Sequence, residues 1–543
     1  MPRRLWMAAL VGATVLWFLP LGSYRLFNPD EGRYAEIPRE MTASGDWVTP
    51  RLNALRYFEK PPLQYWATAS AFEFFGQHEW SARLWAALSG FLAIALTAWI
   101  GTRLYGAAAG MLAAIVQGGS LLYIALARIT TLDMGLTATL ELALAGLLLL
   151  VQRERRVRDE RLGALLLALG VALAFLSKGL VAILIPGAVA VLYVLLSRDW
   201  WLLWRARPWW TLLALAVLAV PWLLLVAQRN PGFLQFFFLH EQFERFLTRI
   251  HERYQPDWYF IPVLLLGFMP WTALLPAIAQ RGWRAIRQRS GPDLLLALWV
   301  LFCFTFFSLS QSKLAPYILP LFPALALLAG AAVNEMDGRQ LRHWLWLAAA
   351  FWGAVGIAAW SLTGGRLYAD HPELASGPAV PITIASLLLA GALVGAGAWV
   401  APRRGALPAL SLAALGTVLL TGNLLLTADR LPQRVAERGL LAAAAAHLGA
   451  DTDFYCVDEY LQSAPFYLHR TCTLVGYRGE LDFGLQHAPE RWIADLGQFA
   501  QRWRAASDAL ALVRPSSYAE LRRMGLPMRV IYTAPTLVAV VRQ

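Results

Sequence analysis

The sequence predicts a polytopic α-helical membrane protein that carries an α/β domain at its C-terminal end. Three observations lead there. Only 15% of the 543 residues are charged and 58% are hydrophobic, whereas soluble chains carry charge on about a quarter of their residues. Apolar runs of about twenty residues, each able to cross ~30 Å of hydrocarbon as a helix, recur over residues 1–426. The loops between them alternate in character, every second one being rich in arginine.

Taken in order, the first run, Leu5–Leu21, follows Arg3 and Arg4 and lacks an A-x-A-like cleavage site. It reads as a retained helix with a cytoplasmic N-terminus, not a signal peptide. About thirteen spans follow from the apolar runs, near 5–22, 83–102, 106–125, 133–151, 162–177, 179–197, 209–227, 258–277, 293–310, 317–333, 343–362, 380–399 and 408–426. The arginine clusters at 153–161, 198–207, 281–289, 339–342 and 403–404 all fall on the side of Arg3 and Arg4. An odd number of spans leaves the C-terminus outside. Two outer connections are long, 22–81 and 228–257.

Residues 427–543 make the outer domain. Apolar runs at Phe454–Val457, Thr473–Val475, Leu510–Val513, Val530–Tyr532 and Leu537–Val541 read as strands, and Pro432–Leu448, Pro489–Ala506 and Ser517–Met524 as helices. Of the three cysteines, Cys303 lies within a span, while Cys456 and Cys472 lie on neighbouring strand candidates. A disulfide between them requires an oxidising compartment and a geometry that spacing does not establish. The net charge of +12 sits in short inner loops with no basic stripe among aromatics, which excludes a nucleic-acid partner.

The chemistry-bearing residues collect on the outer side. The 47 basic side chains include three lysines, Lys60, Lys178 and Lys313, all at outer ends of spans. A compact ammonium there suits a phosphate at a membrane surface. In the first outer loop, Asn28-Pro29-Asp30-Glu31 reads as a helix start, with Asn28 capping and the acids complementing the helix dipole. The first span also delivers this acid pair to the membrane surface. Glu59 and Lys60 precede Pro61-Pro62 at the entrance of a second short helix. Asp133 follows Arg128, its expected ion-pair partner, before the fourth span. In the second long loop, His240 and Glu244 lie one helical turn apart, and with Glu59 they are the candidates for a divalent cation. Arg245 is a candidate for a phosphate.

Residues 28–67 resemble the first periplasmic loop of the aminoarabinose transferases that modify lipid A. The resemblance rests on Pro29-Asp30-Glu31-Gly32-Arg33-Tyr34-Ala35-Glu36-Ile37, Ser44-Gly45-Asp46-Trp47 and Tyr57-Phe58-Glu59-Lys60-Pro61-Pro62. These enzymes are C-type membrane glycosyltransferases, a group that includes the protein O-mannosyltransferases. The resemblance implies transfer of 4-amino-4-deoxy-L-arabinose from undecaprenyl phosphate to a lipid A phosphate. It further implies a bacterial inner-membrane location, a periplasmic C-terminal domain, no required cofactor, and resistance to cationic peptides such as polymyxin. It places catalytic acids at Asp30, Glu31 and Asp133, and carrier-phosphate cations at Lys60 and Arg245, with Lys178 and Lys313 in reserve. Tyr34, Tyr57, Glu59 and Arg128 then line the substrate pocket. Two alternatives stand beside it: another sugar or a protein acceptor on the same fold, and a transporter or flippase. The latter calls for functional charges at mid-membrane depth and an internal repeat; here the chemistry-bearing charges cluster at one surface, with Glu141 inside the fourth span given no role, and the sequence displays no repeat.

Overall fold

The computed structural model describes residues 3–152, 156–244, 254–363 and 379–543. The chain opens with helix α1 (Arg3–Phe18) and reaches α2 (Asp30–Ser44), the hairpin β1 (Arg51–Leu52) and β2 (Leu55–Arg56), and α3 (Leu63–Phe75). The membrane bundle then continues through α4 (Glu79–Tyr105), α5 (Ala107–Gly118), α6 (Leu121–Leu126), α7 (Leu132–Leu150), α8 (Val157–Lys178) and α9 (Val181–Ser197). Among the described residues nine helices are long and apolar enough to cross a membrane, or ten if the bent pair Asp257–Gly267 and Trp271–Gln288 counts as one. Three shorter apolar helices, Val11–Gly22, Ala107–Gly118 and Val181–Ser197, occupy three more of the expected spans.

Two expected spans are broken. The run at 106–125 divides between α5 and α6, and the run at 258–277 bends by 110°. The two breaks face each other: the Leu121 amide donates to the Met269 carbonyl at 3.1 Å. A broken helix at membrane depth must satisfy its freed backbone groups within the protein, and here each break serves the other. Hydropathy cannot register this, because both halves stay apolar.

The C-terminal domain is a six-stranded mixed sheet in the order β5-β4-β3-β6-β8-β7. Its strands are β3 (Asp453–Val457), β4 (Thr473–Val475), β5 (Trp492–Ile493), β6 (Ala509–Val513), β7 (Met528–Thr533) and β8 (Val538–Arg542). The first four strands in that order run parallel, and β8 and β7 are antiparallel. Both faces are covered, so β6 is buried at every position, as its unbroken apolar run suggests. The expected helix 489–506 is corrected: Trp492–Ile493 pairs with β4, and the helix starts only at Leu496, capped by Asp495. Cys456 and Cys472 form a disulfide.

One face of this sheet carries the helices Leu496–Ala505 and Pro515–Arg523. The other face shares a single hydrophobic core with the first long connection, residues 22–81. Tyr34, Ile37 and Met41 of α2, Leu52 and Leu55 of the hairpin, and Tyr65 of α3 pack with Leu440, Phe454, Leu474 and Leu510. The hairpin is hooked on as well. Asn53, at φ 56°, exchanges two hydrogen bonds of 2.8 Å with the Cys472 backbone.

Candidate active site

Helix α2 begins at Asp30, after Pro29, with Asp30 and Glu31 in its first turn. Asn28 does not cap it. Its side-chain amide instead donates to Glu437 (2.6 Å) and to the Ser463 hydroxyl (2.9 Å), and its carbonyl accepts from the Ser463 amide (2.9 Å). Partners from the C-terminal domain have displaced the local cap. The contact is tight enough to require glycine next door: a Cβ on Gly32 would lie 2.5 Å from the Ser463 nitrogen. Gly32→Ala should therefore cost about 1–3 kcal/mol through overpacking, visible as a lower melting temperature of the purified chain. An unchanged melting temperature would mean that α2 and the tail are not in fixed contact.

The two acids of the first turn have different surroundings. Glu31 is fully buried. Its oxygens accept from Arg83 (2.8 Å twice), from the Phe27 amide (2.9 Å) and from the Thr130 amide (2.7 Å). Arg83 is itself fully buried at the start of α4, with its guanidinium 4.0 Å from the Tyr24 ring. A carboxylate so saturated anchors α2 to the membrane bundle, a structural task beside the catalytic one expected of Glu31. Asp30 has 43% of its side chain exposed and accepts from Arg33 at 3.0 Å. The other arm of Arg33 reaches Glu480 of the C-terminal domain at 3.1 Å.

Each of the three lysines meets a carboxylate from a different element. Lys60 contacts Glu241 at 3.0 Å, Lys178 contacts Asp133 at 2.5 Å, and Lys313 contacts Asp257 at 3.3 Å. Lys178 also stands 4.3 Å from the Tyr317 ring. The expected pairing of Asp133 with Arg128 is thus corrected. Arg128 is buried and donates to the carbonyls of Leu16 (2.8 Å) and Val418 (3.4 Å), binding the first and last membrane helices together. A buried arginine can spend its donors on helix-end carbonyls, and sequence spacing cannot tell the two uses apart.

A cavity of about 540 Å³ opens between the second long connection and the C-terminal domain. Glu59, Glu241, Glu480 and Asp482 line it with Phe236, Phe483 and His487. Asp30 and Lys60 are not among the lining residues, but each contacts one that is, through Arg33 to Glu480 and through Glu241. Tyr34 and Tyr57, expected in the pocket, are buried and are not among the residues lining this cavity. Tyr34 stacks on Tyr65 at 6.3 Å, and the hydroxyls of Tyr57 and Tyr65 have no partner among the described residues. Burial pushes both phenols well above their ordinary range, so they remain neutral donors. The side chains of His240 and Glu244 and the whole of Arg245 lie outside the described residues. Among the described residues no group of three or more His, Cys, Asp or Glu side chains is placed to hold a metal ion. Sequence reasoning missed Arg83 and Glu480. The first is an ionisable residue at the head of an apolar span, a recognised sign of a buried partner; the second carries no local signal.

Comparison with known proteins decides the family. Residues 440–542 match the aminoarabinose transferase C-terminal domain, and residues 4–237 match the dolichyl-phosphate-mannose-protein mannosyltransferase family. An undecaprenyl phosphate-alpha-4-amino-4-deoxy-L-arabinose arabinosyl transferase from Pseudomonas paraeruginosa is 32% identical over 96% of this chain and 95% of its own length. The chain belongs to the aminoarabinose transferase family. The enzyme of the same description from Edwardsiella ictaluri is 33% identical over 67% of this chain and 68% of its own. The crystal structure of ArnT from Cupriavidus metallidurans bound to undecaprenyl phosphate superposes with a TM-score of 0.91 at 33% identity, covering 100% of this chain and 98% of that one. The apo form of that protein gives 0.89. As a member of the aminoarabinose transferase family, the chain is an integral membrane glycosyltransferase.

Proposed function

We propose that this glycosyltransferase moves 4-amino-4-deoxy-L-arabinose from undecaprenyl phosphate to a phosphate of lipid A, at the periplasmic surface of a bacterial inner membrane. The observation that carries the reading is the near full-length match to arabinosyl transferases, tail domain included. In this arrangement about thirteen spans, four of them short or broken, put the N-terminus in the cytoplasm and residues 427–543 in the periplasm. The modified lipid A would carry more positive charge and repel cationic peptides such as polymyxin.

The outer face has the chemistry that such a transfer needs. The bond from the sugar's anomeric carbon to the carrier phosphate breaks, and a new bond forms from that carbon to an oxygen of the acceptor phosphate. Positive charge develops on the sugar ring, which a carboxylate stabilises, and negative charge on the leaving phosphate, which cations offset. Asp30 is the part-exposed acid available for the first task. Lys60, Lys178 and Lys313, together with Arg245, serve the second. Asp133, held on Lys178, places a further acid beside that cation. The acceptor phosphate is already anionic at neutral pH, so no strong general base is required.

Binding of the carrier is open to a direct test. Undecaprenyl phosphate added to the detergent-purified chain should raise its melting temperature through preferential binding to the native state. In Lys60→Gln the carrier should bind about 10-fold to 100-fold more weakly, as expected for a lost charge-assisted hydrogen bond. The comparison is between shifts on adding carrier, so any change in intrinsic stability drops out. An equal shift in both proteins would remove Lys60 from the carrier site.

A further inference from the structure

We propose that Glu480, contributed by the C-terminal domain, is a positioning residue of the transfer reaction, acting through Arg33 on the orientation and charge of Asp30. This rests on the assignment of Asp30 given above, and it gives the tail domain a part in the active site.

The geometry is a three-membered chain of ions. The Arg33 side chain is only 6% exposed and divides its guanidinium between Asp30 at 3.0 Å and Glu480 at 3.1 Å. Glu480 is fixed in turn. It accepts from the Gln462 amide at 3.0 Å and from the Tyr477 hydroxyl at 2.7 Å. Burial opposes its ionisation, but Arg33 and those two donors outweigh burial and hold the carboxyl below its ordinary range. The segment presenting it turns at Gly479, whose φ of +46° favours glycine. Glu480 also lines the 540 Å³ cavity, so the chain of ions joins that cavity to the head of α2.

Charge counting shows why a second carboxylate is useful. Asp30 with Arg33 alone is a neutral ion pair, and a neutral pair gives little stabilisation to a sugar ring that is becoming positive. With Glu480 on the far side of the guanidinium, the cluster carries one net negative charge, and its exposed member is Asp30. A fixed, preorganised charge of this kind acts on the transition state without reorganisation cost. The same clamp stops the guanidinium from rotating fully onto Asp30. The tail's grip on Asn28 and Gly32 keeps α2 in register for this contact.

Glu480→Gln removes the charge while keeping the shape and an acceptor oxygen for Arg33. Steady-state transfer by the full chain in lipid nanodiscs, with purified donor lipid and lipid A, should show kcat reduced about 10-fold to 100-fold. The KM for donor should stay within about threefold, and the chain should stay folded with at most a modest fall in melting temperature, because Arg33 keeps Asp30 as its counter-charge. Glu480→Asp restores the charge on a shorter stem and should recover most of the lost rate. A kcat for Glu480→Gln within twofold of the parent would overturn the proposal. So would a Glu480→Asp protein no more active than Glu480→Gln, which would mean that the side chain is only structural. Failure of the parent chain to add an aminopentose would instead count against the reading of donor and acceptor.

Discussion

Asp30→Asn should leave the chain folded, in the membrane and able to bind its carrier lipid, and should reduce transfer by a factor of about 10² to 10⁴, the range for a positioned catalytic group. The expectation follows from two features. The side chain is nearly half exposed, so an isosteric amide creates no cavity and buries no unmet group. The amide oxygen can still accept from Arg33, so the helix start should survive. What disappears is the negative charge proposed to stabilise the sugar. Transfer near the parental rate would remove Asp30 from the mechanism, and with it the role inferred for Glu480.

The second large effect concerns its neighbour and has the opposite character. Glu31→Gln should cost about 3–5 kcal/mol of stability, because it strands a fully buried Arg83 without its counter-charge. That is a large part of the ~5–15 kcal/mol by which folded domains are stable. Arg83→Met should cost a similar amount by stranding Glu31. The double variant should be less damaged than the two losses added together, since neither charge is then left alone. Recovery stays partial, because the Phe27 and Thr130 amides also lose a charged acceptor. Melting temperatures and membrane yields of the three variants measure this. Purely additive losses would mean that the two charges are not coupled. Adjacent acids in one helical turn thus separate into a loss of rate at Asp30 and a loss of fold at Glu31.

The sequence makes this difference hard to see, since Asp30 and Glu31 are equally good at complementing a helix N-terminus. What separates them is Arg83, 52 positions away, and Arg33, one turn along. The parts that were legible depend on local or periodic signals: apolar runs long enough to span, arginines marking one side, and unbroken apolar strands such as Ala509–Val513 for a sheet covered on both faces. The parts that were not legible depend on tertiary partners. Asn28 has the chemistry of a cap, but Glu437 and Ser463 take it. Asp133 follows Arg128 in the chain, yet meets Lys178 from α8. The hairpin at 51–56 turns on Asn53-Ala54, both at positive φ, without the glycine that usually marks such a turn. Its Asn53 side chain is fixed by the Cys472 backbone, just before β4 and more than 400 residues later. The cavity arises for the same reason: its walls come from parts of the chain that sequence distance keeps far apart, Glu59, 231–241 and 479–487.

Mass spectrometry of lipid A tests the central claim most directly. The host would be a bacterium that makes the aminoarabinose donor lipid but lacks its own transferase, examined with and without this gene. The account predicts a gene-dependent mass addition of one aminopentose on a lipid A phosphate, absent with Asp30→Asn. Unmodified lipid A, with the protein verified in the membrane and the donor lipid present, would contradict it and point to another sugar or acceptor on the same fold.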